Sequence, residues 1–484
     1  MKGVFIVVVV VLESSQQSVT GLNRHIVNMT TVATSVRVAV EGCCHGELDR
    51  IYAHLKQVKD SGERPVDLLL IAGDFQAVRN ADDLECMACP AKYRHLHTFH
   101  EYYSGKKKAP VLTIFIGGNH EASNYLQELF YGGWVAPNIY YLGRAGVVNF
   151  RGLRIGGLSG IYKPHSYRKG HFETPPYDKG SMRSVYHVRE YEMCRLRLLR
   201  QPFDIFLSHD WPTGVYHCGN TRELIRKKRF LEREVRTNTL GSPPAAELLH
   251  SLKPRYWFSA HMHVKFPAVV RHPPPAAASA AAPHPLPPPA PPPAPSPRGS
   301  VLETMRSVWG VGNFDNATRF LGLDKCLPKR DFMQIVDIEP SSPCNLSKDE
   351  LYYDREWLAA VRCTQSFFPS IRFPPLFPPR NAIEAQMAST LENFDRDTAF
   401  HSAADMVVPR NFQATANAHD ASLKKRQRPS QPHLLGNPQT DLLLEKLRVP
   451  FAPCQVPFAP LASASASAPA ADPNEISLED DEDV

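Results

Sequence analysis

Apolar runs of three to six residues, each closed by a small polar cluster, recur through the first half of the chain. Residues 36–40, 68–72, 111–116, 205–207 and 256–259 are such runs. A short apolar run bounded by turn residues predicts a strand covered on both faces. The clusters that follow read Cys43-Cys44-His45-Gly46, Gly73-Asp74-Phe75, Gly117-Gly118-Asn119-His120-Glu121, Ser208-His209-Asp210 and Ala260-His261-Met262-His263. After the first of them, Leu48, Ile51, Tyr52, Leu55 and Val58 recur at helical spacing, which predicts a helix over 47–59. Strands interleaved with helices predict an α/β fold. In such folds ligands sit on loops at the carboxyl ends of the strands. Five segments far apart in sequence are therefore expected to converge on one edge.

Beyond residue 266 the pattern breaks. Residues 267–317 are dominated at first by Pro and Ala, a composition that builds no core and predicts an extended linker or insertion. Apolar positions return at Phe320, Leu321, Leu323, Phe332, Ile335 and Ile338, and a helix is expected around Trp357 and Leu358. The expected organisation is an extension over 1–35, a catalytic domain over 36–266, the linker over 267–317, a small C-terminal region over 318–363 and a mostly disordered tail over 364–484, acidic at its end. Val4 to Leu12 is a nine-residue apolar run. It is too short to span a bilayer and is read as an extension or mis-assigned start, not a signal segment, so no membrane partner is expected.

Charge and cysteine usage narrow the field. The 484 residues carry 55 Lys and Arg against 49 Asp and Glu, a net charge of +6, which permits a nucleic-acid partner without demanding one. Ten cysteines at irregular spacing argue for a reducing compartment over a disulfide framework. The sequons at Asn28, Asn316 and Asn345 are discounted on that ground. Cys86 and Cys89 lack a second cysteine pair at zinc-site spacing.

The five clusters pool a thiol, a carboxylate, an amide oxygen and several imidazoles. That is a donor set for a pair of divalent metals, the device used for in-line attack on a phosphodiester. Asp74 is the natural bridge between two cations. Asn119 adds an oxygen without adding charge, and imidazoles suit zinc, iron or manganese better than magnesium. A metal-bound water would attack phosphorus, and the leaving oxygen opposite would need a proton. His120, beside a ligand but spare in the count, is the candidate acid.

The order of the clusters resembles the metallophosphoesterase (calcineurin-like) superfamily, with Cys43 standing where Asp is usual. That exchange, with Gly-Asp-Phe-Gln-Ala-Val-Arg-Asn (73–80), Gly-Gly-Asn-His-Glu-Ala-Ser-Asn (117–124), Tyr-Arg-Lys-Gly-His-Phe-Glu (167–173), Ser-His-Asp-Trp-Pro (208–212) and Leu-Asp-Lys-Cys-Leu-Pro (323–328), resembles the RNA lariat debranching enzymes. The resemblance implies a β-sandwich flanked by helices and two metal pockets. One would use Cys43, His45, Asp74 and His263, and the other Asp74, Asn119, His209 and His261. The thiolate softens the first toward Zn2+ or Fe2+ over Mn2+. The implied reaction is hydrolysis of the 2′-5′ phosphodiester at the branch of intron RNA, with His120 as acid.

Substrate choice must lie outside the metals. Residues 161–183 interleave aromatics and bases, among them Tyr162, Lys163, Tyr167, Arg168, Lys169, His171 and Phe172. That mixture suits an unpaired RNA branch, where rings stack on bases and cations meet phosphates, and it resembles the family's lariat recognition loop. The family implies a nuclear enzyme, monomeric, with spliceosome-associated proteins as possible partners. Lys424-Lys425-Arg426-Gln427-Arg428 is a candidate import signal. Two other readings are a phosphoesterase acting on phosphoproteins or small esters, and a non-catalytic RNA scaffold. The Cys43 exchange and the loop at 161–183 speak against the first of these and the full ligand set against the second.

Overall fold

The computed structural model describes residues 35–273, 308–309, 314–341, 349–422 and 428–450. The apolar run at 4–12, most of the Pro/Ala-rich stretch, the basic run apart from Arg428, the acidic end, and Asn28 and Asn345 lie outside them.

Among the described residues, thirteen strands form two sheets. They are β1 (Val36–Glu41), β2 (Leu68–Ile71), β3 (Leu112–Phe115), β4 (Gly133–Ala136), β5 (Ile139–Tyr141), β6 (Ala145–Phe150), β7 (Leu153–Leu158), β8 (Ile205–Ser208), β9 (Tyr256–Ser259), β10 (Phe266–Arg271), β11 (Ala317–Gly322), β12 (Met333–Ile338) and β13 (Leu351–Tyr353). One sheet has the order β12-β1-β2-β3-β5-β4, the other β10-β11-β9-β8-β7-β6-β13. The central pairs β1–β2–β3 and β7–β8–β9 are parallel.

Strand periodicity decides which residues face which layer. Val36, Val38, Val40, Leu68 and Leu70 meet Ile155, Ile205, Leu207 and Phe258 in the core between the sheets. Their alternates Ala39, Leu69 and Ile71 face outward onto Leu48, Ile51 and Leu55 of the helix Leu48–Asp60. On the second sheet Phe206, Trp257 and Phe320 face the helices Glu190–Leu196, Pro243–Leu252 and Arg355–Thr364. The expected α/β sandwich is present, with the helix at 47–59 shifted by one residue.

Two expected boundaries move. The segment from 267 is not linker at first, because Phe266–Arg271 pairs antiparallel with β11. Nor does the C-terminal region sit beside the catalytic domain. β11 inserts next to β9, β12 next to β1, and β13 next to β6, so both sheets are completed by residues beyond 316. The stretch expected to be disordered from 364 is ordered over 364–422 and 428–450, with helices Arg380–Glu392 and Pro438–Leu447. Ile383, Met387, Leu443, Leu444 and Leu447 are buried there. Its extended parts are held by distant partners: Val408 N donates to Leu351 O, and the Tyr103 hydroxyl accepts from Thr415 N. Local periodicity carries no sign of such contacts. No helix among the described residues is long and apolar enough to cross a membrane.

Candidate metal centre

Each of β1, β2, β3, β8 and β9 ends at one edge and hands its polar cluster to the same place. Asp74 sits in the middle. Its Oδ2 lies 3.7 Å from His45 Nε2 and its Oδ1 lies 3.3 Å from His209 Nε2. Ligand atoms of Cys43, His45, Asp74 and His263 all fall within 4.8 Å of one another, which makes a group of the size a metal ion requires. On the other side of Asp74, His209 Nε2 is also 3.3 Å from Asn119 Oδ1, and the His209 and His261 rings are 5.0 Å apart. All seven expected ligands are thus brought to one centre, with Asp74 between the two sets. His120 is there too. Its ring is 5.5 Å from that of His45, and its backbone N–H donates to Asp74 Oδ1 at 2.8 Å.

The donors are pre-set for cations. His209 Nδ1–H donates to Ala72 O at 2.8 Å, which leaves the Nε2 lone pair facing Asp74. The Gln76 carboxamide nitrogen is 3.3 Å from His45 Nδ1, while its Oε1 is buried without a partner. With the two amide atoms exchanged, His45 Nδ1–H donates to the carboxamide oxygen and His45 Nε2 is left for a cation. Burial above all, then neighbouring imidazoles, pushes His261 and His263 down to about 3, and burial lowers His45. These rings are neutral, as ligation requires. Burial would also lower His209, but the Asp74 carboxylate outweighs it and raises it. For Asp74 burial works toward a neutral acid, yet His209, His45 and His120 hold it well below the usual range. Burial, then Asp74, pushes the Cys43 thiol well up, so loading a cation there must release a proton.

The decisive observation is Asp74 Oδ2. It is buried and has no hydrogen-bond partner. A carboxylate oxygen buried without a hydrogen bond is costly. A divalent cation relieves that cost, so the residues fit the metal group. The local backbone is built to the same end. His45, Asp74, His261 and His263 all have left-handed φ, between 46° and 62°. A Cβ on Gly118 would lie 2.2 Å from Asp74 Oδ1, and one on Gly73 would lie 2.2 Å from His209 Nδ1. Only glycine lets these two loops come so close.

Some supporting residues went unassigned in the sequence reading although they lie inside the quoted clusters. Glu121 accepts from Phe75 N, Gln76 N and Gly118 N at 2.8–2.9 Å and so ties the Asp74 loop to the Asn119 loop. Burial, then Asp74, pushes its acid up to about 7. Asp210, pushed by burial up to about 6, accepts from Tyr162 N at 3.3 Å and anchors the start of the aromatic-basic loop beside His209. A buried acid next to a ligand motif was the available signal.

That loop divides. Lys163 and Arg168 are exposed, and Tyr162, Tyr167, Lys169 and Phe172 are half-buried. The Tyr162 and Tyr167 rings are 5.6 Å apart. His171 is a correction, because it faces the core. Its Nε2–H donates to Glu192 Oε1 at 2.7 Å, and Phe130, Tyr191 and Phe368 surround the ring. Burial, against the pull of Glu192, lowers its pKa. It holds the loop in place and does not face substrate. Residue type alone could not separate the two roles, since imidazole suits both. Cys86 and Cys89 are buried free thiols.

Two sheets in a sandwich, with a carboxylate bridging two sets of imidazole, thiol and amide donors at the strand ends, define a calcineurin-like phosphoesterase. Residues 36–265 match the family model of that description, and residues 315–452 match the one described as lariat debranching enzyme, C-terminal domain. The lariat debranching enzyme of Homo sapiens is 52% identical over 395 residues, which cover 81% of this chain and 65% of that protein. Lariat debranching enzyme A of Xenopus laevis is 49% identical, with 84% and 68% covered. The lariat debranching enzyme of Arabidopsis thaliana is 42% identical over 455 residues, with 93% and 96% covered. The chain belongs to the lariat debranching enzyme family. It spans about two thirds of the length of the vertebrate relatives it matches. The second match begins near the expected C-terminal region and runs far past 363, in keeping with the order seen over 364–422 and 428–450.

Proposed function

We propose that this chain hydrolyses the 2′-5′ phosphodiester at the branch of lariat RNA, using two divalent cations drawn from Fe2+, Zn2+ and Mn2+. The observation that carries the reading is Asp74 Oδ2, buried without a hydrogen bond between the Cys43 and His209 donor sets. Cys43, His45, Asp74 and His263 would hold one cation, and Asp74, Asn119, His209 and His261 the other. Bound there, the cations supply Lewis acidity toward a phosphoryl oxygen and a nucleophile at neutral pH. The chain's own residues do the rest. The His120 N–H and His209 fix Asp74 Oδ1 from two directions. Glu121 locks the Asp74 and Asn119 loops together, so the two donor sets keep their spacing. The His120 side chain is half-exposed at the mouth of the site and delivers a proton to the departing 2′-oxygen. Tyr162, Lys163, Tyr167, Arg168, Lys169 and Phe172 receive the unpaired nucleotides of the branch. A nuclear location fits this substrate, with the basic run at 424–428 as the import segment.

The test is a branched RNA carrying both link types, with metal analysis of the same protein preparation. Cleavage confined to the 2′-5′ link, giving a linear RNA with a 5′-phosphate, supports the reading. Equal cleavage of ordinary 3′-5′ links, or none at the branch in metal-loaded protein, overturns it.

A further inference from the structure

The aromatic-basic loop is backed by a segment from much later in the chain. Residues 369–379 read Pro-Ser-Ile-Arg-Phe-Pro-Pro-Leu-Phe-Pro-Pro and pack against it. His171 N donates to Pro369 O at 2.7 Å, and a Cβ on Gly170 would lie 2.3 Å from the carbonyl oxygens of Pro369 and Ile371. The Arg372 guanidinium is 5.2 Å from the Phe172 ring and 5.9 Å from that of Phe373. Between loop, segment and the helix Glu190–Leu196 lies a cavity of about 520 Å³. Arg168 and Lys169 line it from the loop, and Tyr191 and Arg197 from the helix and its end. Phe373, Leu376 and Phe377 line it from the segment.

The lining has the chemistry of a nucleotide site. Phe373 is 75% exposed and Leu376 91%, so large apolar side chains stand in water at the lip. Such a patch marks a surface that takes a partner. Pro374, Pro375, Pro378 and Pro379 fix their own φ angles, so the stiffened wall presents its rings at little ordering cost. Two lining cations are already neutralised, Arg197 by Glu247 at 2.6 Å and Arg380 by Glu384 at 3.0 Å. Arg168, Lys169 and Arg372 have no ion pair among the described residues, and Glu190 is the single acid in the lining. A purely apolar partner would leave those cations unmatched. Unpaired RNA brings a π-face and a phosphate with every nucleotide. The volume is in the range of roughly 300–1,000 Å³ usual for small-molecule sites, which accommodates one nucleotide. The cavity also lies on a track from the metal centre. Asp210, next to His209, accepts from Tyr162 N at 3.3 Å, the Tyr162 and Tyr167 rings are 5.6 Å apart, and the Tyr167 hydroxyl accepts from Arg197 Nη2 at 3.3 Å.

We propose that this cavity is a second nucleotide subsite, which stacks an unpaired base from an arm of the branched RNA on Phe373 and Phe377 and meets the adjoining phosphates with Arg168, Lys169 and Arg372. The subsite rests on the debranching reading, since a small phosphate ester has no arm to place there. Its segment wall lies in the stretch matched by the C-terminal family model, outside the phosphoesterase match. Recognition of the arms is thereby shared between the two matched regions of the chain.

The experiment measures KM of the full, metal-loaded chain for two branched RNAs. One carries a single nucleotide on each side of the branch; in the other every arm is lengthened into a short oligoadenosine. The ratio of the two KM values reports what the arms contribute, and in wild type the extended RNA should have the lower KM. Phe373→Ala should shrink that advantage about tenfold, the effect of losing one stacked base, with kcat moving less. Phe373→Trp should keep it and Phe373→Leu should not, because stacking needs a ring. Arg372→Gln should make the slope of log KM against log salt for the extended RNA shallower by about 0.7, one phosphate contact. Ile371→Ala, 58% exposed but outside the cavity lining, should behave as wild type. A full advantage retained in Phe373→Ala overturns the subsite and assigns the apolar lip to a protein partner. An equal loss in Ile371→Ala overturns it as well. Equal KM for the two RNAs in wild type sinks the subsite and leaves the debranching reading standing. If wild type cleaves neither RNA, the debranching reading fails first and the subsite falls with it.

Discussion

Replacing His120 with alanine isolates proton delivery from everything else the site does. The backbone N–H that holds Asp74 Oδ1 survives the substitution. The side chain is half-exposed and makes no hydrogen bond to a described residue; its one ring contact is with His45 at 5.5 Å. Stability should therefore change by less than about 1 kcal/mol, and bound metal should match wild type. The whole effect falls on turnover. A positioned general acid contributes about 10²- to 10⁴-fold, or about 2.7–5.4 kcal/mol of barrier. Leaving-group chemistry sharpens the test. A ribose 2′-alkoxide is a poor leaving group and needs the proton, whereas p-nitrophenolate leaves without one. His120→Ala should lose about 10²- to 10⁴-fold on branched RNA and less than about tenfold on bis(p-nitrophenyl) phosphate. The assay is single-turnover cleavage of both substrates by one metal-analysed preparation. Equal losses on the two esters would refute the acid role and assign His120 to holding Asp74 or the phosphate.

Three further outcomes follow from the same geometry. Arg79 is fully buried against Asp83 at 2.8 Å, Glu128 at 2.7 Å and Thr415 at 2.8 Å, so Arg79→Met leaves two buried carboxylates unpaired and should cost about 3–5 kcal/mol in urea unfolding. A loss under 1 kcal/mol would show that the network contributes little. Gly118→Ala places a Cβ 2.2 Å from Asp74 Oδ1 and should cut turnover by more than about 100-fold with loss of metal; wild-type metal content would contradict the close approach. Burial, then Arg189, holds the His187 imidazole down to about 3, so between that value and its ordinary 6.5 the unfolded chain binds a proton that the fold refuses. Stability therefore falls as pH drops below 6.5, by about 2 kcal/mol from this residue at pH 5. His187→Asn should show a correspondingly smaller loss between pH 7 and 5, and an unchanged loss would sink that account.

The sequence was most legible where chemistry and local periodicity coincide. Cys43, His45, Asp74, Asn119, His209, His261 and His263 each follow an apolar run, and a run that ends in a ligand type announces both strand and site. It was least legible where contacts are long-range. β11 and β12 are short runs that look alike on paper, yet one pairs parallel with β9 and the other antiparallel with β1. Nothing local distinguishes those partners. Helix Arg380–Glu392 buries little beyond Ile383 and Met387, too sparse a stripe to read as helix among so many prolines. His171 was misread because imidazole serves a core hydrogen bond as well as it serves a phosphate.

The ordering of the C-terminal stretch also bears on why the site can exist. Four non-glycine residues of the centre, His45, Asp74, His261 and His263, hold left-handed backbone. Each such residue costs on the order of 1 kcal/mol or more, and it persists only where its surroundings overdetermine it. Part of that determination comes from beyond residue 316. Gly42 N donates to Phe332 O, Cys43 is bonded on both its N–H and its C=O to 324–326, and Leu323 N donates to Ser259 O just before the His261 loop. Both loops that bring histidines to the Cys43 pocket are thus stitched to the same short segment between β11 and β12. Both histidine loops of the Cys43 pocket therefore depend on a segment beyond residue 316, and a chain cut before it should lose the pocket's geometry along with β11 and β12.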